Sequence, residues 1–447
     1  MFMNKKNYSS SVFTSLDHKL MKLEHIKHDE NLLTGKNCFT RKKRKLSFIE
    51  DMKILMSVGS SSMKKELFRY FNYDINTVSL PGFIKSRAKI KDEAFKELMK
   101  MMNKAYPCNK TYKGYRLLAV DGSELPVSTD INDTDTHCND SSKDGHDSLH
   151  INALYDILNH RYLDNIVQPI KKKHETNAMI TMARRYEGGK AIFIADRFYG
   201  SFNCVENIRH TNHKFLIRIK DVSSHGYKFK SFKSVTKEGE FDEDIHVIFT
   251  NKRTKDILAH PEIYKVWTDP KKPFDFLDEN NRFYKTDYRV VRIYIGGEEA
   301  YETIITNLDR DMFPSSEIKK LYNLRWGIEV SYRHLKYSVS LNALHSRRRD
   351  FIRQEIWARM IMFNIAMIIT DHIQDKKSDK KKRRWKYAVN ITMAIFFTKE
   401  YMIKRKGGDP PDLESLIASQ ILPIRPDRHY SRNVRSQPYV SFGYRFS

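Results

Sequence analysis

YNLRWGIEVSYRHLK (residues 322–336) has the apolar period of a helix, yet it carries charged side chains within that period. One stripe at helical spacing is apolar and consists of Leu321, Leu324, Ile328, Tyr332, Leu335 and Val339. A second stripe, about 100° further round the helix because each residue turns that far, consists of Tyr322, Arg325, Glu329, Arg333 and Lys336. The apolar stripe predicts a buried face. The polar stripe predicts either the wall of a cleft or, as the simpler alternative, a solvated flank.

The chain that precedes this helix predicts a mixed α/β fold. Three strand-like runs come first, namely YRLLAVDGSELPV, INALYDIL and RYLDNIVQP, and the last two are close enough to form a hairpin. A helix over residues 175–186 follows, and then the strand AIFIAD, the helix FNCVENIRH and the strand KFLIRI. Three antiparallel strands followed by strands that return through helices predict a mixed sheet with helices on its faces.

Other regions flank or interrupt this predicted mixed α/β core, which we place at residues 101–375. At roughly 100–200 residues per domain, a chain of this length predicts two to four domains. Residues 1–100 predict a basic helical domain, for which DNA binding and plain helical packing both remain open. Residues 221–313 predict an inserted β subdomain because strand-like runs recur there without a helix. Residues 376–447 form a basic C-terminal segment that opens with KKSDKKKRRWK (residues 376–386).

The charge of the chain points to a polyanionic partner. Lys and Arg number 80 against 55 Asp and Glu, a net charge of +25, and nucleic acid is the common partner of such an excess. The apolar segment IWARMIMFNIAMII (residues 356–369) is shorter than the roughly 20 residues that a bilayer requires, so it predicts a buried helix. The cysteines are too scattered for a zinc site and favour a reducing, cytoplasmic compartment: Cys38, Cys108, Cys138 and Cys204.

Two aspartates stand where strands end, Asp121 after LLAV and Asp196 after IFIA. Ligand sites of α/β sheets gather at the carboxyl ends of strands, although each aspartate taken alone could be a turn residue. With Glu329 they provide three carboxylates, which could hold two Mg²⁺ ions for phosphoryl transfer. Asp156 and Asp164 alternate within strands and are expected on exposed faces.

Three blocks resemble the DDE transposases of the insertion-sequence type 4 family. AVDGS carries Asp121, ADRFYGSFN carries Asp196, and residues 322–336 match the family's Tyr-x2-Arg-x3-Glu-x6-Lys signature. The resemblance covers roughly residues 116–369. It implies a ribonuclease H-like catalytic core with a β-rich insertion before the glutamate helix, which agrees with the order of elements predicted above.

The resemblance also implies roles for the polar stripe. Glu329 would complete the metal triad of the two aspartates, with Mg²⁺ as the expected ion and Mn²⁺ as the alternative. Tyr322, Arg325 and Lys336 would hold DNA phosphates, since Arg forks onto a phosphate and Lys acts as a point charge. The polar stripe would then be an active-site wall and not a solvated flank.

Several other residues have two interpretations. Arg333 and Trp326 are further candidate DNA contacts, and family members can hold a flipped base on an aromatic side chain. Core packing is nevertheless the favoured interpretation for both Trp326 and Trp267. Arg197 could touch substrate or form a salt bridge at a strand end. The histidines near the loop after the first strand do not predict a metal site: His137, His146 and His150.

The expected function is cut-and-paste transposition by a bacterial-type, cytoplasmic and nucleoid-associated enzyme. It would bind the terminal inverted repeats of its element, cleave at the element ends and join the 3′-hydroxyls to target DNA, acting as a homodimer on paired ends. Two alternatives remain: a catalytically inactive DNA-binding protein derived from a transposase, and a metal-dependent structure-selective nuclease that cuts but does not join.

Overall fold

Strand β1 (Arg116–Val127) is central to the fold because both of its faces are apolar. Leu117 and Ala119 lie in one hydrophobic cluster, Leu118 and Val120 lie in another, and all four side chains are fully buried. Successive side chains of a strand point to opposite faces. The run LLAV therefore requires a packed layer on each side of the sheet.

The structure is a computed structural model, and it describes residues 7–41, 45–139, 145–268, 274–296, 301–377, 387–408 and 410–424. The helices in these ranges are α1 Tyr8–Ile26, α2 Phe48–Ser57, α3 Met63–Tyr70, α4 Leu80–Arg87, α5 Asp92–Ala105, α6 Glu175–Arg185, α7 Phe202–His210, α8 Lys255–Ala259, α9 Ser315–Leu324, α10 Trp326–Arg333, α11 Arg349–Lys377, α12 Ile391–Arg405 and α13 Leu413–Ser419. The strands after β1 are β2 His137–Cys138, β3 His146–Asp156, β4 Arg161–Pro169, β5 Ala191–Ala195, β6 Lys214–Ile219, β7 Phe241–Thr250, β8 Tyr264–Val266, β9 Phe283–Tyr294, β10 Tyr301–Thr306, β11 Tyr387–Val389 and β12 Ile421–Pro423.

Within the described residues, ten strands form one sheet in the order β2-β3-β1-β5-β6-β10-β9-β7-β8, with β4 also paired to β3. β1, β3 and β4 are antiparallel neighbours, whereas β5 runs parallel to β1 and β6 parallel to β5. Helices α6 and α7 connect these parallel strands and pack on one face of the sheet. The predicted mixed α/β class is confirmed, and the five strands have the order of a ribonuclease H-like core.

The β-rich insertion extends this sheet and does not form a sheet of its own. β10 pairs antiparallel with β6, β9 pairs with β10, and β7 pairs with β9. The backbone groups along β6 therefore bond to β10, and the sheet has no open edge there. The insertion is rich in strands, as predicted, but its description as a β subdomain needs this correction.

Helix α11 is the buried helix that the apolar segment predicted. Among the described residues, Arg349–Asp375 is the one helix long and apolar enough to cross a membrane, and 94% of its most apolar window is buried inside the protein. Its Arg359 side chain is fully buried and donates to the carbonyl oxygens of Val58 and Gly59, at the end of α2. These bonds satisfy a buried charge with main-chain acceptors.

The N-terminal helices share a hydrophobic core with α11. The buried Arg87 guanidinium contacts Glu355 Oε1 at 3.2 Å and donates to the Phe351 carbonyl at 3.0 Å, which joins α4 to α11. Burial lowers the pKa of Arg87, and the Glu355 carboxylate opposes that effect. The domain boundary near residue 100 stays a prediction.

Three sequence expectations need comment. Asp156 and Asp164 are buried and not exposed, because Asp156 Oδ2 accepts from Arg116 Nε at 2.7 Å and the Asp164 carboxylate lies 3.6 Å from Arg185. The basic run at residues 378–386 lies outside the described residues. The described part of the C-terminal segment contains α12 and α13, a helical content that the description as a basic segment did not include.

Candidate active site

The register of the sheet brings Asp121 and Asp196 level with each other. β1 and β5 are parallel, and Ala119 of β1 is paired with Ile194 of β5. Two residues further along each chain stand the two aspartates, both half-buried at the carboxyl ends of the apolar runs. Because the two strands are adjacent, their carboxylates open into the same crevice at the edge of the sheet.

The signature segment is not one uniform helix. α9 ends at Leu324, Arg325 lies in a tighter turn, α10 follows, and residues His334–Ser338 form a π-helical turn. The Ile328 amide bonds to the Arg325 carbonyl at 3.1 Å, and the Val339 amide bonds to the His334 carbonyl at 2.9 Å. Insertions of this kind are frequent at functional sites. The prediction of a single regular helix was wrong at these two points.

The apolar stripe is buried as predicted, with Leu324 as the exception, since that side chain is 38% exposed. The turn at Arg325 changes the phase of the helix and leaves Leu324 on the outer side. Tyr332 crosses the interface to the sheet, where its hydroxyl donates to the Asp121 carbonyl at 2.9 Å. This bond fixes α10 over β1 and sets the distance from Glu329 to the aspartates.

Arg325 is the countercharge of the site. Its guanidinium contacts Glu329 Oε1 at 2.8 Å, one helical turn away, and the residue is only 8% exposed. Burial raises the pKa of Asp121 and of Asp196, and the positive charge of Arg325 opposes that rise. Arg325 therefore acts on all three carboxylates. One buried cation therefore balances three acidic groups, which leaves a net negative charge in the crevice.

The pKa values reflect this imbalance. Burial raises the pKa of Asp121 to about 7, and the charges of Asp196 and Glu329 add to the rise despite Arg325. Burial also raises the pKa of Asp196, whose Oδ1 accepts the Phe198 amide at 2.9 Å. Burial is thus the first cause of both raised pKa values, and neighbouring negative charge adds to it.

A divalent cation fits this donor set. Carboxylate oxygens are the ligands of hard cations, and the surplus negative charge is what such an ion would neutralise. In the described part of the chain, no three His, Cys, Asp or Glu side chains already converge closely enough to hold a metal ion. At this site the Glu329 carboxylate instead contacts the Arg325 guanidinium at 2.8 Å. Asp121, Asp196 and Glu329 remain the residues that would hold the ion.

The other candidates on the signature segment differ in exposure. Tyr322 is buried beside Arg325, and burial raises the pKa of its hydroxyl to about 12. Lys336 donates to the Glu124 carbonyl at 2.9 Å, and burial lowers the pKa of its ammonium. Arg333 is exposed. The structure therefore brings Tyr322 and Arg325 to the crevice, holds Lys336 against β1 and leaves Arg333 outside.

The tryptophans have different environments. Trp267 packs against Phe202, Phe249 and Phe274, as core packing predicted. Trp326 is 48% exposed, so core packing was the wrong interpretation for it. Arg197 is exposed and lies over the ring of Phe198, and no salt bridge at the strand end involves it among the described residues.

Sequence reasoning missed Glu175 and His150. His150 Nε2 lies 2.9 Å from Glu175 Oε1, and the charge of Glu175 acts on Asp196. His137 lies elsewhere, with Nδ1 2.8 Å from Asp147 Oδ1. The available signal was the position of Glu175 at the start of a helix that follows the strands, but nothing in the sequence shows that this helix begins beside Asp196.

Comparison with known proteins agrees with this geometry. Residues 112–365 match the family described as the transposase DDE domain, which is more than half of the 447 residues. The letters DDE in the family name refer to two aspartates and one glutamate. In this chain the corresponding candidates lie on two adjacent strands and one helix. The chain belongs to the transposase DDE domain family, and the predicted resemblance is confirmed. Enzymes of this family depend on divalent metal ions.

Relatives with curated names are similar over part of their length. Transposase InsG for insertion sequence element IS4, from Escherichia coli strain K12, is 25% identical over 140 residues, which cover 29% of this chain and 31% of that protein. Putative transposase InsL for insertion sequence element IS186A, from the same strain, is 24% identical over 196 residues, which cover 41% of this chain and 51% of that protein. The chain thus spans from about a third to about half of these relatives.

A solved structure also resembles the chain as a whole. The piggyBac transposase synaptic complex with hairpin DNA has a TM-score of 0.45 and 9% sequence identity, and the alignment covers 96% of this chain and 88% of that one.

Proposed function

We propose that the chain is a cut-and-paste DNA transposase. It binds the terminal inverted repeats of its element, cleaves phosphodiester bonds at the element ends and joins the freed 3′-hydroxyls to target DNA. The observation that carries the proposal is the gathering of Asp121, Asp196 and Glu329 around the buried Arg325 guanidinium at the carboxyl edge of the sheet. Water is the attacking group in the first cleavage, and a 3′-hydroxyl is the attacking group in the joining step.

The site would hold two divalent ions, with Mg²⁺ as the proposed ion and Mn²⁺ as the alternative. When bound, the ions would activate the attacking oxygen and place positive charge at the leaving oxygen. Asp121 and Asp196 present their oxygens from rigid neighbouring strands. Glu329 joins them by turning away from Arg325, which lies 2.8 Å from it. No bond energy needs to be stored, because each joining step exchanges one phosphodiester for another.

Arg325 changes partners in this scheme. A guanidinium can fork onto a phosphate as it does onto a carboxylate, so a DNA phosphate can replace Glu329 beside Arg325. The same exchange releases Glu329 towards the two aspartates. Tyr322 contacts the DNA backbone beside Arg325, Lys336 holds the strand further along the crevice, and the exposed Trp326 and Arg333 contact DNA outside it.

Recognition of the element end is assigned to residues 1–100 together with the basic C-terminal segment from residue 376. The large positive charge of the chain supports this assignment, since basic residues release counterions from DNA. A homodimer on paired ends would allow both ends to be joined to one target. The protein is proposed to act in the cytoplasm, on the nucleoid.

The test is to incubate the purified protein with a labelled element end and a target plasmid in Mg²⁺. We expect a nick that exposes the 3′-hydroxyl, followed by a joined product. Asp196→Asn should bind the same DNA and give neither product. Glu279→Gln, an exposed site in the loop before β9 and outside the regions assigned to DNA recognition, is the control and should behave as wild type. Cutting without joining would identify a nuclease, and binding without cutting would identify an inactive derivative.

A further inference from the structure

Gly122, which follows Asp121, is a glycine because another side chain occupies its space. A Cβ at this position would lie 2.4 Å from His150 Nε2 and 3.1 Å from Glu175 Oε1. The φ of Gly122 is not in the left-handed region, so the backbone itself does not require glycine. Gly122 therefore admits the imidazole and the carboxylate directly beside a candidate metal ligand.

His150 is buried between these two groups. The residue is 3% exposed, and its Nε2 lies 2.9 Å from Glu175 Oε1. Among the described residues, Glu175 is thus the partner of Nε2, and Nδ1 has no hydrogen-bond partner. The buried imidazole therefore has one polar contact, which is with the Glu175 carboxylate.

Glu175 lies in the same electrostatic field as the candidate metal ligands. Contact with His150 lowers the pKa of Glu175, which keeps this carboxylate ionised. Burial raises the pKa of Asp196, and the charge of Glu175 raises it further. Burial also raises the pKa of Tyr199, with Glu175, Asp121 and Asp196 contributing after it. Four acidic groups, from two strands and two helices, therefore act on one another: Asp121, Asp196, Glu175 and Glu329.

We propose that Glu175, held over Gly122 by His150, is a positioning residue that adds a fourth negative charge to the metal site and strengthens the binding of the divalent cation. The inference rests on the proposed function, because it needs Asp121 and Asp196 to hold that cation. His150 keeps the carboxylate at the edge of the crevice. The alternative is a purely structural contact that anchors the start of α6 to β3.

The test measures Mn²⁺ binding directly, by the electron paramagnetic resonance signal of free Mn²⁺ in the presence of the full chain and an element end. Glu175→Gln should weaken Mn²⁺ binding on the order of tenfold, since it removes one charge several ångströms from a divalent ion. Glu175→Asp keeps the charge and should bind within about twofold of wild type. His150→Phe fills the space over Gly122 without holding the carboxylate, and it should resemble Glu175→Gln.

A second readout separates positioning from structure. Saturating Mn²⁺ should restore cleavage by Glu175→Gln, whereas a folding defect would persist at any metal concentration. Unchanged Mn²⁺ affinity in both Glu175→Gln and His150→Phe would overturn the inference. Asp196→Asn separates a failure of this inference from a failure of the proposed metal site. If Asp196→Asn also binds Mn²⁺ with wild-type affinity, the proposed metal site itself is wrong, and not only the role of Glu175.

Discussion

Asp121→Asn should stabilise the metal-free protein at pH 8 while it abolishes cleavage. The folded structure raises the pKa of Asp121 from 3.8 to about 7, with burial as the first cause. An acid with a raised folded pKa contributes its full stability below its unfolded pKa, and that contribution is lost as the pH rises through the folded pKa. At pH 8 the loss is complete. Asparagine has nearly the same shape and never ionises, so the variant avoids the loss.

The size of the stabilisation by Asp121→Asn follows from the shift in the pKa of Asp121. About three pKa units correspond to about 4 kcal/mol of unfolding free energy, and solvent at the half-buried carboxyl should reduce this to about 2 kcal/mol. With about 2 cal/mol/K of unfolding entropy per residue, a chain of this size that unfolds as one unit should gain roughly 2 °C in Tm. Mg²⁺ should close the gap, because it neutralises the wild-type carboxylate and has less to neutralise in the variant.

Thermal unfolding in EDTA at pH 4 and pH 8 measures this difference. The variant should melt above wild type at pH 8, and the gap should shrink towards zero at pH 4, where the wild-type carboxyl of the folded protein is protonated. Glu279→Gln should show no gap at either pH. An equal gap at both values, or a variant that is less stable at pH 8, would refute the claim that burial of the ionised Asp121 carboxylate destabilises the folded protein.

Three further substitutions separate roles on the signature segment. Arg325→Ala should impair the steps after the first nick more than the nick itself, which a time course of nicked, fully cut and joined products would show; wild-type product ratios would contradict it. Lys336→Ala should weaken DNA binding and slow all steps by a similar factor, in the same time course and in a binding titration. Trp326→Ala should reduce affinity for element-end DNA by about 1–3 kcal/mol if it stacks on a base, with Tm nearly unchanged because the ring is half exposed; equal affinity would remove Trp326 from the interface.

The sequence could predict the sheet and the acidic residues because both depend on local pattern. Apolar runs that end in aspartate led to Asp121 and Asp196, and Asp196 does follow the end of β5, but the strand-end prediction was wrong for Asp121 because β1 continues to Val127 through its pairing with β3. The turn at Arg325 and the π-helical turn at residues 334–338 could not be predicted, since helical periodicity assumes one constant pitch. Leu324 was wrongly assigned to the core for that reason.

Contacts between distant segments were the second source of error. Asp156 was expected on an exposed face, but its partner Arg116 is forty positions away and arrives only through strand pairing. The place of His150 depends on the register of β1 against β3, where Gly122 lies opposite Asn152. A glycine next to an aspartate has the appearance of a turn in the sequence, and only the folded sheet shows what fills its space.

The packing of the N-terminal helices and α11 in one shared core has an evolutionary consequence. Arg87 and Arg359 bury their charges across that boundary, against Glu355 and the carbonyls after α2. If residues 1–100 recognise the element end, a new recognition specificity cannot be acquired by exchanging that region between relatives, since the exchange would strand two guanidinium groups in a core. Relatives of this chain should therefore acquire specificity for new DNA repeats by gradual substitution on the protein surface. Natural chimaeras that join two relatives at residue 100 should be rare.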